Sequence, residues 1–452
     1  MPRRTPTRPN VVYIDCHDLG DWLGCYDRPY LETPNLDRLA ASGVRFTSHT
    51  ATAPICMPSR ASIFTGLMPH EVGVTGQEAL DPAATCMAAR FRDAGYRTVA
   101  CGSLKIVNDP QWVGFSEQLR AADGDKPAAA AAFISGAGGT SRPFFLSVSL
   151  QQCHRPFGAR HDPLLPERIA MPGYLPDTAA TRRDLATLAW QIRELDAGVG
   201  KILAAIDAAG LRDSTLVVFT TEHGPAIARA KHTTYDSGLR TALLLRLPGG
   251  LRAGSTVECL SSNVDLLPTM TDLCGLPSPA GIHGMSWAPW LAGKRSAATR
   301  EWAFSEFNWG RRSGRWYYTP SRAVRGVRYK LLRSYRQIPL YVDNGWLARY
   351  AGDRDTVERW YGAPLPQTQL FDLAADPDEL RNLAGTPALA SVQAELEQRL
   401  DHHLLATADP ILHGPVPNRA GEADVAQWQR QPDGSFRLAN DDPVDTGEIA
   451  FT

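Results

Sequence analysis

Residues 181–221 read TRRDLATLAWQIRELDAGVGKILAAIDAAGLRDSTLVVFTT. Leu185, Leu188, Ile192, Leu195, Val199, Ile202 and Ile206 recur at three- and four-residue intervals, which predicts a long amphipathic helix closed by Gly210. STLVVFTT (214–221) is a continuous apolar run of strand length, the pattern of a strand buried on both faces of a parallel sheet. A long helix feeding such a strand is the unit from which α/β layers are built.

Outward from this unit the alternation continues. PFFLSVSL (143–150), RTVAC (97–101) and NVVYI (10–14) read as buried strands upstream, and TALLLRLPGG (241–250) as another downstream. TPNLDRLAASG (33–43) reads as a helix with Thr33 as its cap and Gly43 as its stop. TCMAARFRDAG (85–95) reads as a second helix, and the Ala/Gly-rich 125–141 as a surface helix and loop. The expected fold is α/β, a large mostly parallel sheet sandwiched by helices.

After about residue 294 the texture changes. EWAFSEFNW, RWYYTPSRAVRGVRYKLLRSY and QLFDL are aromatic, alternating and arginine-rich, as in an antiparallel sheet with one solvated face. SVQAELEQRLDHHLLAT (391–407) is the helix expected to pack on it. With 452 residues the chain is too long for one ordinary core. The expected division is a catalytic domain over 9–294, a smaller C-terminal antiparallel-sheet subdomain over 295–405, and an extended tail over 406–452.

Composition narrows the function. A formal net charge of −1 gives no electrostatic case for nucleic acid or an anionic membrane. The basic start MPRRTPTRPN has no apolar stretch behind it and does not read as a secretory signal, and NVVYI is too short to span a bilayer. Eight cysteines lie scattered without a framework spacing or a Cys-x-x-Cys pair, so reduced thiols and a cytoplasmic location are expected. Only six of the 47 basic residues are lysine, which lends interest to any lysine near a motif.

In open parallel sheets, chemistry gathers at the carboxyl ends of the strands. Asp15, His17 and Asp18 follow NVVYI; Ser103 and Lys105 follow RTVAC; His154 follows PFFLSVSL; Glu222, His223, Lys231 and His232 follow STLVVFTT. Carboxylates, imidazoles and lysines on one sheet make a metal-plus-oxyanion composition. ICMPSRASIFTGL (55–67) can join them: Pro58 suits the first turn of a helix, Gly66 can end it, and Cys56 then sits at the helix N-terminus with Arg60 one turn in. A buried structural cysteine at a helix start would fit those thirteen residues equally well.

CMPSRASIFTG resembles the signature of the type I sulfatases, members of the alkaline phosphatase superfamily. NVVYIDCHDLGDWLGCY resembles the opening strand and metal loop of that family, and FTTEHGPAIARAKHTTYDSGLRTALLLRLPG its second metal loop with the lysine that follows. QLFDLAADPDELRNLAG is similar to its C-terminal subdomain, and the signature with its lead-in looks most like the sulfamidase-like (N-sulfoglucosamine sulfohydrolase) branch and its bacterial relatives. The resemblance implies an alkaline-phosphatase-like fold. It also implies hydrolysis of a sulfate ester or sulfamate of a small molecule or saccharide. Cys56 would be oxidised to Cα-formylglycine by a formylglycine-generating enzyme and would be the nucleophile, with Arg60 holding it. Lys231 would bind a sulfuryl oxygen and His154 would protonate the leaving group. One divalent metal, calcium by family habit, would be held by Asp18, His17, Glu222 and His223, with Asp15 as a further ligand or as the partner of His17.

Departures from the family pattern qualify these roles. The first metal loop carries His17-Asp18 where two aspartates are usual, and the second carries Glu222-His223 where Asp precedes Asn or His. Two imidazoles shift the preference toward Mn or Zn. The family's Gly-Lys-x-His reads Gly102-Ser103-Leu104-Lys105, so Ser103 and Lys105 are expected to line the pocket with Lys105 as its cation. His232 is a further substrate-binding candidate. Two other readings stand beside the sulfohydrolase: a formylglycine-dependent phosphonate monoester or phosphodiester hydrolase, and a catalytically impaired member kept for binding.

Overall fold

The computed structural model describes residues 8–417 except 77, 82–83, 122–123, 138–141, 163–164, 248, 250, 295–297, 313–314 and 341–353; beyond 417 it describes 428–430 and 436–438. Its first ten strands are β1 (Asn10–Cys16), β2 (Val44–Phe46), β3 (His49–Thr50), β4 (Arg97–Cys101), β5 (Glu117–Leu119), β6 (Phe144–Leu150), β7 (Thr215–Thr221), β8 (Leu243–Arg246), β9 (Ser255–Val257) and β10 (Ser261–Ser262). Eight of them form one sheet in the order β5-β4-β6-β1-β7-β8-β2-β9. β4, β6, β1 and β7 run parallel, whereas β8 is antiparallel to both β7 and β2. β3 and β10 pair apart from it.

The apolar strands alternate their side chains between two cores. Val12, Ile14, Leu146, Val148, Val217 and Phe219 face one side, and Val11, Tyr13, Phe145, Leu216 and Val218 the other. The helices in chain order are α1 (Pro34–Ala41), α2 (Cys56–Thr65), α3 (Met87–Asp93), α4 (Lys126–Ala137), α5 (Leu165–Arg168), α6 (Ala179–Ala208), α7 (Asp236–Leu239), α8 (Leu266–Leu273) and α9 (Ala288–Leu291). α1, α4 and α6 bury residues in the first core; α2, α3 and α8 bury theirs in the second. The sandwich expected from 181–221 is therefore present. α6 starts where Thr178 Oγ1 accepts from Thr181 N at 3.1 Å.

One cap differs from expectation. Thr33 occupies the cap position of α1, but its hydroxyl accepts from Gly24 N (2.8 Å) and donates to Asp37 (2.9 Å). The carboxylate of Asp196, reaching over from α6, receives Asn35 N (3.1 Å) and Leu36 N (2.8 Å) instead. A carboxylate at a helix N-terminus meets both the unpaired N–H groups and the dipole. A cap donated from 160 residues away in the chain leaves no local sequence signal.

β11 (Ala303–Arg312), β12 (Arg315–Arg325), β13 (Tyr329–Ser334) and β14 (Thr368–Asp372) form the second sheet, antiparallel throughout. After α10 (Arg354–Tyr361), α11 (Ala390–Ala406) lays Leu396, Leu400 and Leu404 on Trp309, Val324, Leu331 and Leu370. Buried charges stitch this sheet to the large one. Lys330 Nζ lies 2.8 Å from Asp236 and 2.9 Å from Glu379, and His70 Nδ1 lies 2.5 Å from Glu306. Of the segment 406–452, residues 406–417 are described, Ala406 closing α11, and Val416 O accepts from Trp309 Nε1 at 2.8 Å. β15 (Trp428–Arg430) and β16 (Phe436–Leu438) pair antiparallel, and the remainder of that segment lies outside the described residues. No helix among the described residues is long and apolar enough to cross a membrane.

Candidate active site

The sheet register brings the strand ends level. Asp15 on β1 stands opposite Ser149 on β6 and Thr220 on β7, so the loops that follow all open on one edge. The N-terminus of α2 points into the same space. Ile55 is extended (φ −151°, ψ 148°) and hands the chain to a helix whose first residue is Cys56, with Pro58 in its first turn. Gly66 ends the helix at φ 75°, its N–H donating to Ser62 O at 2.8 Å; a residue with a Cβ would be strained there.

Cys56 is 9% exposed, its Sγ 3.5 Å from His223 Nε2 and 3.7 Å from Asp18 Oδ1. Burial, reinforced by the Glu222 charge, pushes its thiol pKa up, so the bare thiol is a poor nucleophile in this position. Arg60, one turn along α2, is wholly buried. Its Nη2 donates to Asp15 Oδ1 at 2.5 Å and its Nε to Glu222 Oε2, a fork clamping the ends of β1 and β7 together. Burial would raise the Glu222 carboxyl, but Arg60 and His17 outweigh it and hold the group well below the usual carboxylate range. Lys231 Nζ reaches both oxygens of Asp18 at 2.9 and 2.7 Å, and this attraction overcomes burial to raise its pKa.

The donor atoms of Asp18, Cys56, Glu222 and His223 lie within 4.8 Å of one another, as do those of His17, Asp18, Cys56 and His154. His223 Nδ1 pairs with Gly224 O at 2.8 Å, which leaves Nε2 aimed at Asp18 (3.3 Å) and Glu222 (3.2 Å). Burial opposes protonation of His223, but Cys56 and Glu222 bring its pKa up to about 9. His17 Nδ1 and Glu222 Oε1 sit 3.1 Å apart, both buried and neither making a hydrogen bond. A buried ring nitrogen and a carboxylate oxygen at that distance are reconciled by a shared proton or by a cation. Asp18, Glu222 and His223 with Cys56 form one donor group that fits a divalent metal, and His17 falls instead in the group with Asp18, Cys56 and His154.

Of the other residues expected at the site, Asp15 gives Oδ1 to Arg60 and to Ser149 Oγ (2.9 Å) and lies outside both donor groups. His154 is 38% exposed at the opening, its Nε2 4.0 Å from Asp18; burial lowers its pKa more than Asp18 raises it. His232 lies beside Lys231 at φ 69°, with Nδ1 2.8 Å from the Tyr317 hydroxyl and its ring stacked on Phe307. Ser103 is exposed and Lys105 half-buried at the end of β4. Three contributors carried no motif. Ser149 touches Asp15 and His17 Nε2. Asn263 Nδ2 donates to Ser59 Oγ (2.7 Å) and Glu222 O (3.1 Å), while Lys126 Nζ donates to Gln151 Oε1 at 2.9 Å. The scarcity of lysine was the one signal that could have singled out Lys126.

Comparison with known proteins adds the following. The family described as Sulfatase matches residues 9–276, and N-sulphoglucosamine sulphohydrolase, C-terminal, matches 224–343. The chain is 26% identical to an ulvan-active sulfatase of Formosa agariphila over 90% of its own length and 76% of that protein's. It is 28% identical to arylsulfatase A of Homo sapiens, covering 93% of this chain and 92% of the other. Among solved structures, a 2-O GAG sulfatase superposes with a TM-score of 0.70 at 22% identity, covering 92% of this chain and 96% of its own.

Proposed function

The chain belongs to the sulfatase family, and on that premise we propose that it hydrolyses the sulfate ester or sulfamate of a saccharide through residue 56, in the manner of the sulfamidase-like branch. The convergence of Cys56 Sγ, Asp18, His223 and Lys231 at one helix N-terminus carries this reading. The ulvan and GAG sulfatases among its relatives support a saccharide as the organic part.

Residue 56, oxidised to formylglycine by a formylglycine-generating enzyme and hydrated, offers one hydroxyl to attack sulfur and a second whose deprotonation expels sulfate. Lys231 neutralises charge on the sulfuryl group as it builds in the transition state. Arg60 fixes Asp15 and Glu222 so that the loops do not move when that charge appears. His154, at the opening, is placed to hand a proton to the departing oxygen or nitrogen. Lys105, Ser103 and His232 line the approach to the leaving group. A divalent ion held by Asp18, His17, Glu222 and His223 would supply Lewis-acid neutralisation of the sulfuryl oxygens. Calcium prefers an all-oxygen set, and two imidazoles favour Mn or Zn. Eight unpaired cysteines fit a cytoplasmic setting.

The experiment offers sulfated saccharides and a phosphonate monoester to protein co-produced with a formylglycine-generating enzyme, reading inorganic sulfate and phosphonate release. Sulfate release that vanishes in Cys56→Ala is expected. Higher kcat/KM on the phosphonate would make the protein a phosphonate hydrolase instead.

A further inference from the structure

Cys56 opens α2 and Thr65 ends it, about 15 Å away along a helix whose residues are buried apart from Met57. At that far end lies a second cavity of about 570 Å³, between Thr65 and Leu67, Glu71, the approach to α3 with Arg90, and the loop 279–282. None of the residues gathered around Cys56 lines it. Its walls are fixed to one another: Gly66 O accepts from His283 N at 2.9 Å, and a Cβ on Gly66 would stand 3.1 Å from Ile282 Cδ1. Cavities of about 300–1,000 Å³ are the size that takes small organic ligands.

Arg90 stands in the last turn of α3 and is half-buried. Among the described residues its guanidinium makes no ion pair and donates no hydrogen bond, and its Nε is fully buried. Arg92, two residues on, holds Asp93 at 2.9 Å. The other groups on the cavity wall are engaged elsewhere. Glu71 takes Met68 N at 2.8 Å and lies 2.8 Å from His283 Nε2. His70 has Glu306 on Nδ1 and Thr407 O, at 3.2 Å, on Nε2. Asp81, exposed at the rim, forms no ion pair with Arg90. A planar group of five donors thus borders an open cavity that offers it no acceptor.

A partly desolvated cation of this kind is stabilised by an anion that brings its own oxygens, and a carboxylate or sulfate matches the guanidinium fork. A lone oxyanion is only a few times the size of a water, about 30 Å³, and would leave most of the cavity unfilled. The anion therefore arrives on a larger body. No Phe, Tyr or Trp lines the cavity; Thr85 adds an exposed hydroxyl among short aliphatic side chains, a wall suited to a hydroxylated ring.

We propose that this cavity is a second, non-catalytic site for an anionic saccharide, whose carboxylate or sulfate Arg90 holds. The saccharide as ligand rests on the sulfohydrolase reading above. The test titrates a sulfated glycosaminoglycan tetrasaccharide, and an uncharged tetrasaccharide, into Cys56→Ala protein by calorimetry, with and without Arg90→Met or Arg90→Lys. Arg90→Met should remove one equivalent of bound sulfated saccharide. Arg90→Lys should keep that equivalent, weakened on the order of 10-fold, since an ammonium lacks the fork. In a chain that retains Cys56, Arg90→Met should leave turnover of para-nitrophenyl sulfate unchanged. A stoichiometry that Arg90→Met does not alter overturns the proposal, as does an uncharged tetrasaccharide that fills the Arg90 site equally well. A wild type that releases no sulfate overturns the sulfohydrolase reading instead, because the Arg90-dependent equivalent is counted without turnover.

Discussion

Arg60 holds two buried carboxylates, Asp15 on β1 and Glu222 just past β7. Removing one partner of a buried ion pair strands the other charge, at a cost of about 3–5 kcal/mol. Arg60→Met should show that loss in urea denaturation and should abolish turnover. Arg60→Lys should rescue neither, since an ammonium cannot serve Asp15 and Glu222 as a planar fork. At this scale much of the site was legible: Cys56, Arg60, Asp18, Glu222, His223 and Lys231 stand at strand ends or a helix start, and the structure brings them together. Ser149, Asn263 and Lys126 were not legible. Each is an ordinary polar residue in its own segment, and only the packing of that segment carries it to the site.

Between elements, His70 links the turn after α2 to β11 and to the segment after α11. Its Nδ1 sits 2.5 Å from Glu306, while Asp409 is held by Arg322 at 2.6 Å. Burial opposes protonation, but Glu306 and Asp409 bring the His70 pKa up to about 9. A folded-state pKa above the unfolded value means that the stabilisation is complete below about pH 6.5 and is lost as pH rises through about 9, up to about 3 kcal/mol in all. Denaturation midpoints from pH 6 to 10 should fall across that window in wild type and fall less steeply in His70→Gln, where His223 remains. A wild-type midpoint that does not move would remove the linkage. The strands around the site were readable because burial on both faces leaves unbroken apolar runs. The cap of α1 was not, because Asp196 supplies it from another helix.

For the whole molecule, the two sheets are joined through charge. Lys330, fully buried, neutralises Asp236 beside the large sheet and Glu379 beside the small one. We expect Lys330→Met to destabilise the chain by about 3–5 kcal/mol. Unfolding should remain one transition, with secondary and tertiary structure lost together; two separated transitions would show sheets that fold independently. The order of layers was legible from the strand and helix patterns, whereas the buried charges that fasten the sheets were scattered over distant segments.

The account turns on what residue 56 becomes. Trypsin releases residues 46–60 as one peptide, and its mass distinguishes a thiol from an aldehyde. In protein co-produced with a formylglycine-generating enzyme, the peptide should carry the mass of formylglycine and react with a hydrazide probe. A sulfate-releasing preparation in which residue 56 is wholly an unmodified cysteine would contradict the mechanism.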